Sequence, residues 1–92
     1  MPHFVFSDGT IFDLELEIHS NMKPEDFLGY FESILKGEKV KSKTGEYFQI
    51  PTRRIPEFVN ESLESNMLKN FTKKNYGRKV WKQLQKLLKS FR

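Results

Sequence analysis

The 92-residue sequence predicts a single α+β domain in which two β-hairpins form one four-stranded, mainly antiparallel sheet. Three observations predict this class. Apolar residues alternate with acids along residues 11–19, glycine-containing turns separate two pairs of strand-like segments, and apolar residues recur at helical spacing elsewhere. We divide the domain into a ββαββ core at residues 1–59, with one helix between the hairpins, and a basic helical C-terminal region at residues 60–92.

The first hairpin is predicted from a turn signal, Asp8-Gly9, between two aromatic and β-branched segments. A three-residue loop over residues 7–9 pairs Phe4 with Phe12 and Phe6 with Thr10. Both phenylalanines of the first strand then share the apolar face of the second strand. A two-residue turn would send them to the acidic face, so we favour the longer loop, with Gly9 at positive φ.

The first helix is predicted to begin at Pro24, because proline is tolerated at the first helical position. Glu25 and Asp26 follow it and suit the positive end of the helix dipole. Gly37 supplies the C-terminal stop. Between these signals, five apolar residues recur at helical spacing and predict the main core element: Phe27, Tyr30, Phe31, Ile34 and Leu35.

The second hairpin repeats the logic of the first. Residues 39–42 and 46–50 flank a three-residue loop that pairs Val40 with Phe48 and places Gly45 at positive φ. The first of these strands is short and rich in lysine, which suits the edge of a sheet.

The C-terminal region is predicted to be helical. A weak helix opens at residues 55–57, with breaks expected near Asn66 or Asn75. The last segment is more regular, since its apolar side chains lie within about 100° on a helical wheel, with lysines on the opposite side. The apolar members are Val80, Leu84, Leu87, Leu88 and Phe91, with Trp81 at the margin. We expect the first helix and this last helix to cover one face of the sheet.

The residue inventory argues against catalysis. The chain has no cysteine, and its two histidines, His3 and His19, lie at predicted strand ends. No metal-ligand spacing and no phosphate-cradling glycine loop is present. We therefore expect no enzyme activity, no cofactor, no metal site and no small-molecule substrate. The N-terminus lacks the pattern of a signal peptide and no uncharged stretch is long enough to span a membrane, so we expect a cytoplasmic protein.

Charge is divided unevenly along the chain, although the net charge is only +4. Residues 1–38 carry eight acids against two lysines, a net of −6, whereas residues 39–92 carry fourteen bases against four glutamates, a net of +10. Nine bases and no acid follow Glu64. This asymmetry indicates an anionic partner, unless the two pieces neutralise each other within the fold.

We expect a binding module that takes nucleic acid through the basic side of its last helix, whose cations could neutralise several phosphates. Arg53 and Arg54, held between two prolines, could clamp phosphate, unless each pairs with an acid of the first helix or hairpin. Tyr76 and Trp81 could stack on bases, although Trp81 fits a core role better. The candidate nucleic-acid-binding residues are Arg53, Arg54, Lys73, Lys74, Arg78, Lys79, Lys82, Lys86 and Lys89.

The alternative is a protein-interaction module, such as an inhibitor of a host protein or a small homo-oligomer. It would use the acidic strand face or the apolar side of the last helix: Asp13, Glu15, Glu17, Trp81, Leu84 and Leu88. A membrane surface is a less favoured partner, because it requires the last helix to be undocked. Burial of that helix's leucines against the rest of the chain would favour nucleic acid, whereas their exposure would favour a partner helix or a membrane.

The order of motifs between Phe4 and Phe58 resembles that of small uncharacterised proteins of Gram-positive phages and mobile elements. The matching residues are Asp8-Gly9-Thr10, Pro24-Glu25-Asp26-Phe27-Leu28, Leu35-Lys36-Gly37, Gly45-Glu46, Ile50-Pro51 and Ile55. The resemblance implies an accessory binder directed at a host protein, and transfers no catalytic residue. The basic extension after Asn60 lies outside the resemblance.

Overall fold

The computed structural model describes residues 3–5, 11–13, 22–41, 45 and 47–92. These residues form two hairpins and four α-helices, with a short 3-10 helix ahead of the second α-helix. In chain order the elements are β1 (His3–Val5), β2 (Ile11–Asp13), α1 (Pro24–Leu35), β3 (Val40–Lys41), β4 (Tyr47–Phe48), the 3-10 helix (Thr52–Arg54), α2 (Ile55–Glu64), α3 (Asn66–Tyr76) and α4 (Arg78–Ser90).

The predicted four-stranded sheet is wrong. β1 pairs with β2 and β3 pairs with β4, but no backbone pairing joins the two hairpins within the described residues. The strands are only two or three residues long. A helix lies beside each hairpin instead, α2 next to β1 and α1 next to β3, so the hairpins associate with helices and are not joined in one sheet within the described residues. The fold is therefore mainly helical.

The predicted registers of both hairpins are confirmed. Both pairs are antiparallel, with Phe4 opposite Phe12 and Val40 opposite Phe48. Gly45 has a φ of 89°, in the left-handed region that the predicted loop requires. The first loop, including the predicted pairing of Phe6 with Thr10 and the conformation of Gly9, lies outside the described residues.

The predicted first helix is confirmed as α1. Pro24 stands at its first position with Glu25 and Asp26 in the first turn. Gly37, at a φ of 78°, follows its C-terminus and donates its N–H to the Ile34 carbonyl at 3.0 Å. The apolar stripe of α1 is buried at Phe27, Phe31, Ile34 and Leu35.

Two single residues separate the last three helices, close to the predicted breaks at Asn66 and Asn75. Ser65 ends α2 and caps α3, where its Oγ accepts a hydrogen bond from the Leu68 N–H at 3.1 Å. Gly77 separates α3 from α4 with φ 95° and ψ 169°, a conformation that costs other residues strain. These two corners let α4 pack against α1, α2 and α3.

One hydrophobic core contains residues from both predicted regions, 1–59 and 60–92. The expectation that the last helix covers a sheet is wrong, because α4 packs against α1, α2 and α3. An aromatic group lies at the centre of the core, with the Phe27 and Phe31 rings in edge contact at 5.3 Å between centroids. The largest fully buried side chains are Phe27, Phe31, Phe58, Ile34, Ile50, Leu68, Leu84 and Leu88.

Candidate nucleic-acid interface

The apolar stripe of α4 is docked in the core. Leu84 and Leu88 are fully buried, Val80 and Trp81 are nearly so, and Leu87 is partly buried against the same core. Residues on the opposite side of a helix must then face solvent, since a helix presents one stripe to the core and the other to water. The docked stripe thus determines where the cations of α4 point.

Five cations of α4 form what we call the α4 basic face. All five are exposed: Arg78, Lys79, Lys82, Lys86 and Lys89. At about 100° per residue they lie within an arc of about 100°. At about 1.5 Å of rise per residue, the row extends for about 16 Å along the helix. The α4 basic face is therefore a straight, one-sided row of positive charge.

The start of α4 places cations where a helix favours acids. Its first turn contains no acid, and Gly77 provides no side-chain cap. Arg78 and Lys79 stand at the positive end of the helix dipole, which costs a few tenths of a kcal/mol to about 1 kcal/mol per charge when exposed. Lys89, in the last turn, has the favourable placement. The local sequence is therefore poorly suited to helix stability at this end, and docking of the apolar stripe holds α4 in place.

The cations of α3 continue the positive surface across the Gly77 corner. Partial burial lowers the pKa of Lys73, and the nearby positive charges of Lys69 and Arg78 lower it further. Lys69 and Lys73 are four residues apart on α3, a spacing at which like charges destabilise a helix. We call Lys69, Lys73 and Arg78 the corner cluster. Lys74, also on α3, is exposed.

The basic surface is not neutralised by the described part of the chain. None of the nine bases after Glu64 forms an ion pair with a described carboxylate, and that stretch contains no acid of its own. An ion pair does occur on α1, where Lys36 Nζ lies 3.2 Å from Glu32 Oε1. Within the described part of the chain, the positive charge of α3 and α4 is left without a paired carboxylate.

Arg53 and Arg54 belong to a different element, the 3-10 helix ahead of α2. Arg53 is exposed, whereas Arg54 is partly buried and is engaged in a contact within the chain. Neither arginine lies on α3 or α4. They do not extend the row formed by the α4 basic face.

The two aromatic rings predicted to stack on bases are used inside the fold. The Tyr76 ring stacks on Phe27 with centroids 4.5 Å apart and planes inclined by 24°, and Trp81 is only 4% exposed. Burial raises the pKa of the Tyr76 hydroxyl, and the nearby Met22 backbone partly offsets this rise. The buried hydroxyl has no hydrogen-bond partner among the described residues.

Of the two surfaces predicted for a protein partner, the structure describes the apolar side of α4 and only part of the acidic strand. Asp13 ends β2, whereas Glu15 and Glu17 lie outside the described residues. Trp81, Leu84 and Leu88 are buried in the core of their own chain. A partner would reach those three side chains only if α4 left the core.

Sequence reasoning missed an acidic surface on α1. Exposed Glu25, Asp26 and Glu32 surround Gly29, and two open grooves with volumes of about 450 and 400 Å³ flank that glycine. The spacing of these acids on the helix was the available signal, because the apolar stripe of α1 determines which side is exposed. Among the described residues, no group of three or more metal-ligating side chains converges here or elsewhere.

No helix among the described residues is long and apolar enough to cross a membrane. No family model, curated protein or solved structure matches the chain. The resemblance to small proteins of Gram-positive phages and mobile elements therefore stays a prediction, as does the accessory role that it implies.

Proposed function

We propose that the protein is a non-enzymatic nucleic-acid-binding module that uses the surface of α3 and α4. One observation carries this proposal: nine bases with no intervening acid follow Glu64, none of them is ion-paired with a described carboxylate, and the buried stripe of α4 turns five of them outward. Phosphates are the partners that a row of exposed lysines neutralises, with release of condensed counterions.

Burial of the apolar stripe argues against the two competing partners. Leu84 and Leu88 are 0% exposed, so a partner helix or a lipid surface would have to displace them from the core. Removing two fully buried leucines from a core costs several kcal/mol, about 1.5–3 kcal/mol for each side chain. A nucleic acid needs no such displacement, because the cations that would contact it are already exposed.

The proposal predicts how steeply the binding constant falls as salt rises. If each of the five cations of the α4 basic face neutralises one phosphate of duplex DNA, log K should fall with log salt at a slope of about −4 to −5. Cations of α3 would make the slope steeper. A neutral binding mechanism would give a slope near zero.

The decisive experiment compares two triple variants by fluorescence anisotropy on a labelled DNA duplex. Lys79→Gln, Lys82→Gln and Lys86→Gln should weaken binding and flatten the salt slope by about 3. The matched control replaces three exposed lysines outside the C-terminal helices with glutamine, at Lys23, Lys39 and Lys41.

Both triple variants reduce the net charge of +4 by three, so a general charge effect would lower the DNA affinity of both variants equally. The proposal requires the α4 variant to lose much more affinity than the control. Equal losses in the two variants, or no binding by the wild-type protein even at low salt, would refute it.

A further inference from the structure

The surface of α3 and α4 combines a rigid row of cations with an absence of free aromatic rings. This combination bears on the form of nucleic acid that fits it. We propose, resting on the proposed function, that the ligand is the phosphate backbone of a double helix, bound without regard to base sequence.

The aromatic residues of α3, α4 and the C-terminus are buried or are partly buried against the core. Tyr76 stacks on Phe27, Trp81 is buried, and Phe71 and Phe91 pack against the core. Proteins that bind single strands without sequence preference use exposed aromatic rings on which successive bases stack. Among the described residues, α3 and α4 present no such platform, which leaves charge as the means of binding.

The geometry of the α4 basic face fits the charge density of a duplex. A double helix carries one negative charge per about 1.7 Å of its axis, so about ten phosphates lie within the length of the row, about 16 Å. One extended strand offers about half that number over the same length. A flexible single strand would lose conformational freedom in lying along the helix, whereas a duplex already presents its phosphates on a rigid rod.

The arrangement of side chains across the exposed arc indicates backbone contact rather than base reading. Cations occupy the centre of the arc, and the neutral polar residues Gln83 and Ser90 lie at its margin. A helix that reads bases in the major groove places side chains capable of paired hydrogen bonds, chiefly arginine, asparagine and glutamine, at the centre. Here that position is held mainly by lysine, which contacts phosphate as a point charge.

The test is a binding panel with the full chain and labelled nucleic acids of about 20 nucleotides per strand. It contains a DNA duplex, an RNA duplex and each single strand of the DNA duplex, all at the same ionic strength. We expect at least one duplex to bind about tenfold more tightly than either single strand. The two duplex arms show which backbone is preferred, and DNA duplexes rich in A·T or in G·C should differ by less than about threefold.

The panel separates failure of this inference from failure of the proposed function. Single strands that bind as tightly as both duplexes would overturn the inference while leaving nucleic-acid binding intact. A large difference between the A·T-rich and G·C-rich duplexes would overturn the sequence-independent part. No binding to any probe would refute the proposed function and the inference together.

A double variant adds a readout that a stacking mechanism would not give. Lys82→Gln with Lys86→Gln should reduce the salt slope on a DNA duplex by about 2, as expected for two phosphate contacts. Lys23→Gln with Lys39→Gln removes the same charge from exposed positions elsewhere and should leave the slope unchanged. An unchanged slope in the first variant would overturn the assignment of the ligand to the α4 basic face.

Discussion

Replacing Leu84 with alanine tests the docking of α4, on which the outward direction of its cations depends. Leu84 is 0% exposed and lies in the stripe between Val80 and Leu88. Truncating a fully buried leucine to alanine costs about 2–5 kcal/mol, from lost burial and the cavity left behind. Because this helix is held by packing against three others, we expect a loss in the middle of that range, about 3 kcal/mol.

Urea unfolding followed by far-ultraviolet circular dichroism measures this loss. With a slope of about 1–3 kcal/mol per molar urea for a small domain, the midpoint should fall by about 1–3 M. The thermal midpoint should fall by more than about 10 °C, since each kcal/mol shifts the melting temperature of a domain this size by about 4–8 °C.

Leu87→Ala is the matched control on the same helix. Leu87 is only partly buried against the core, so the same truncation should cost less than half as much as at Leu84. If Leu84→Ala unfolds at the wild-type midpoint, or if the two variants lose equal stability, then α4 is not docked as described. The argument that its basic face points to solvent would then fail.

Three further predictions concern the corners and the buried phenol. Gly77→Ala should destabilise the protein by more than about 1 kcal/mol, because alanine is strained at a φ of 95°. Gly29→Ala should stabilise it by about 0.5–1 kcal/mol, because the added Cβ meets open space in α1. The urea midpoints of the two variants should therefore shift in opposite directions. Ser65→Ala should cost about 1 kcal/mol of stability, because it removes the side-chain cap on the Leu68 N–H. Ser90→Ala is the control, since Ser90 is at no helix N-cap. Equal urea midpoints for these two variants would contradict the capping role. Burial raises the pKa of Tyr76 above 10.0, so the folded state keeps a proton that the unfolded chain releases, and stability should fall as pH rises above about 10. Tyr76→Phe should remove that part of the fall between pH of about 9 and 11, and an identical alkaline loss in both proteins would contradict it.

Local features of the fold could be predicted from the sequence, whereas the association of the hairpins could not. The register of each hairpin follows from its own turn and from nearby apolar residues, so pairing Val40 with Phe48 required no knowledge of the rest of the chain. Whether two hairpins share a sheet depends on what else can cover them. Here α2 covers β1 and α1 covers β3, and the weak periodicity of α2 gave little sign of that competition.

The candidate site was predictable where it depends on helical periodicity and unpredictable where it depends on tertiary contacts. The position of the α4 basic face follows from a helical wheel of the sequence, because its five cations lie opposite one apolar stripe. Trp81 lies at the margin of that stripe, where either burial or exposure is compatible with the sequence. Tyr76 ends α3 and meets Phe27, which is distant in sequence, so its inward stacking is a property of the assembled core.

The electrostatics of the Gly77 corner are hard to explain by folding alone. Lys69 and Lys73 repel each other along α3, Arg78 adds a third charge, and α4 begins with cations at the positive end of its dipole. A neutral side chain in place of the exposed Lys69 or Arg78 would relieve part of this repulsion without disturbing the core. Natural proteins often give up stability where function requires it, so the Gly77 corner is a candidate functional surface.

An anionic polymer bound at the corner cluster would relieve the repulsion that the folded chain tolerates. The free energy of binding would then include that relief as well as new contacts, and ligand present above its dissociation constant would stabilise the folded state. Binding of such a polymer and folding would then be coupled through the same charges, which repel one another in the free protein.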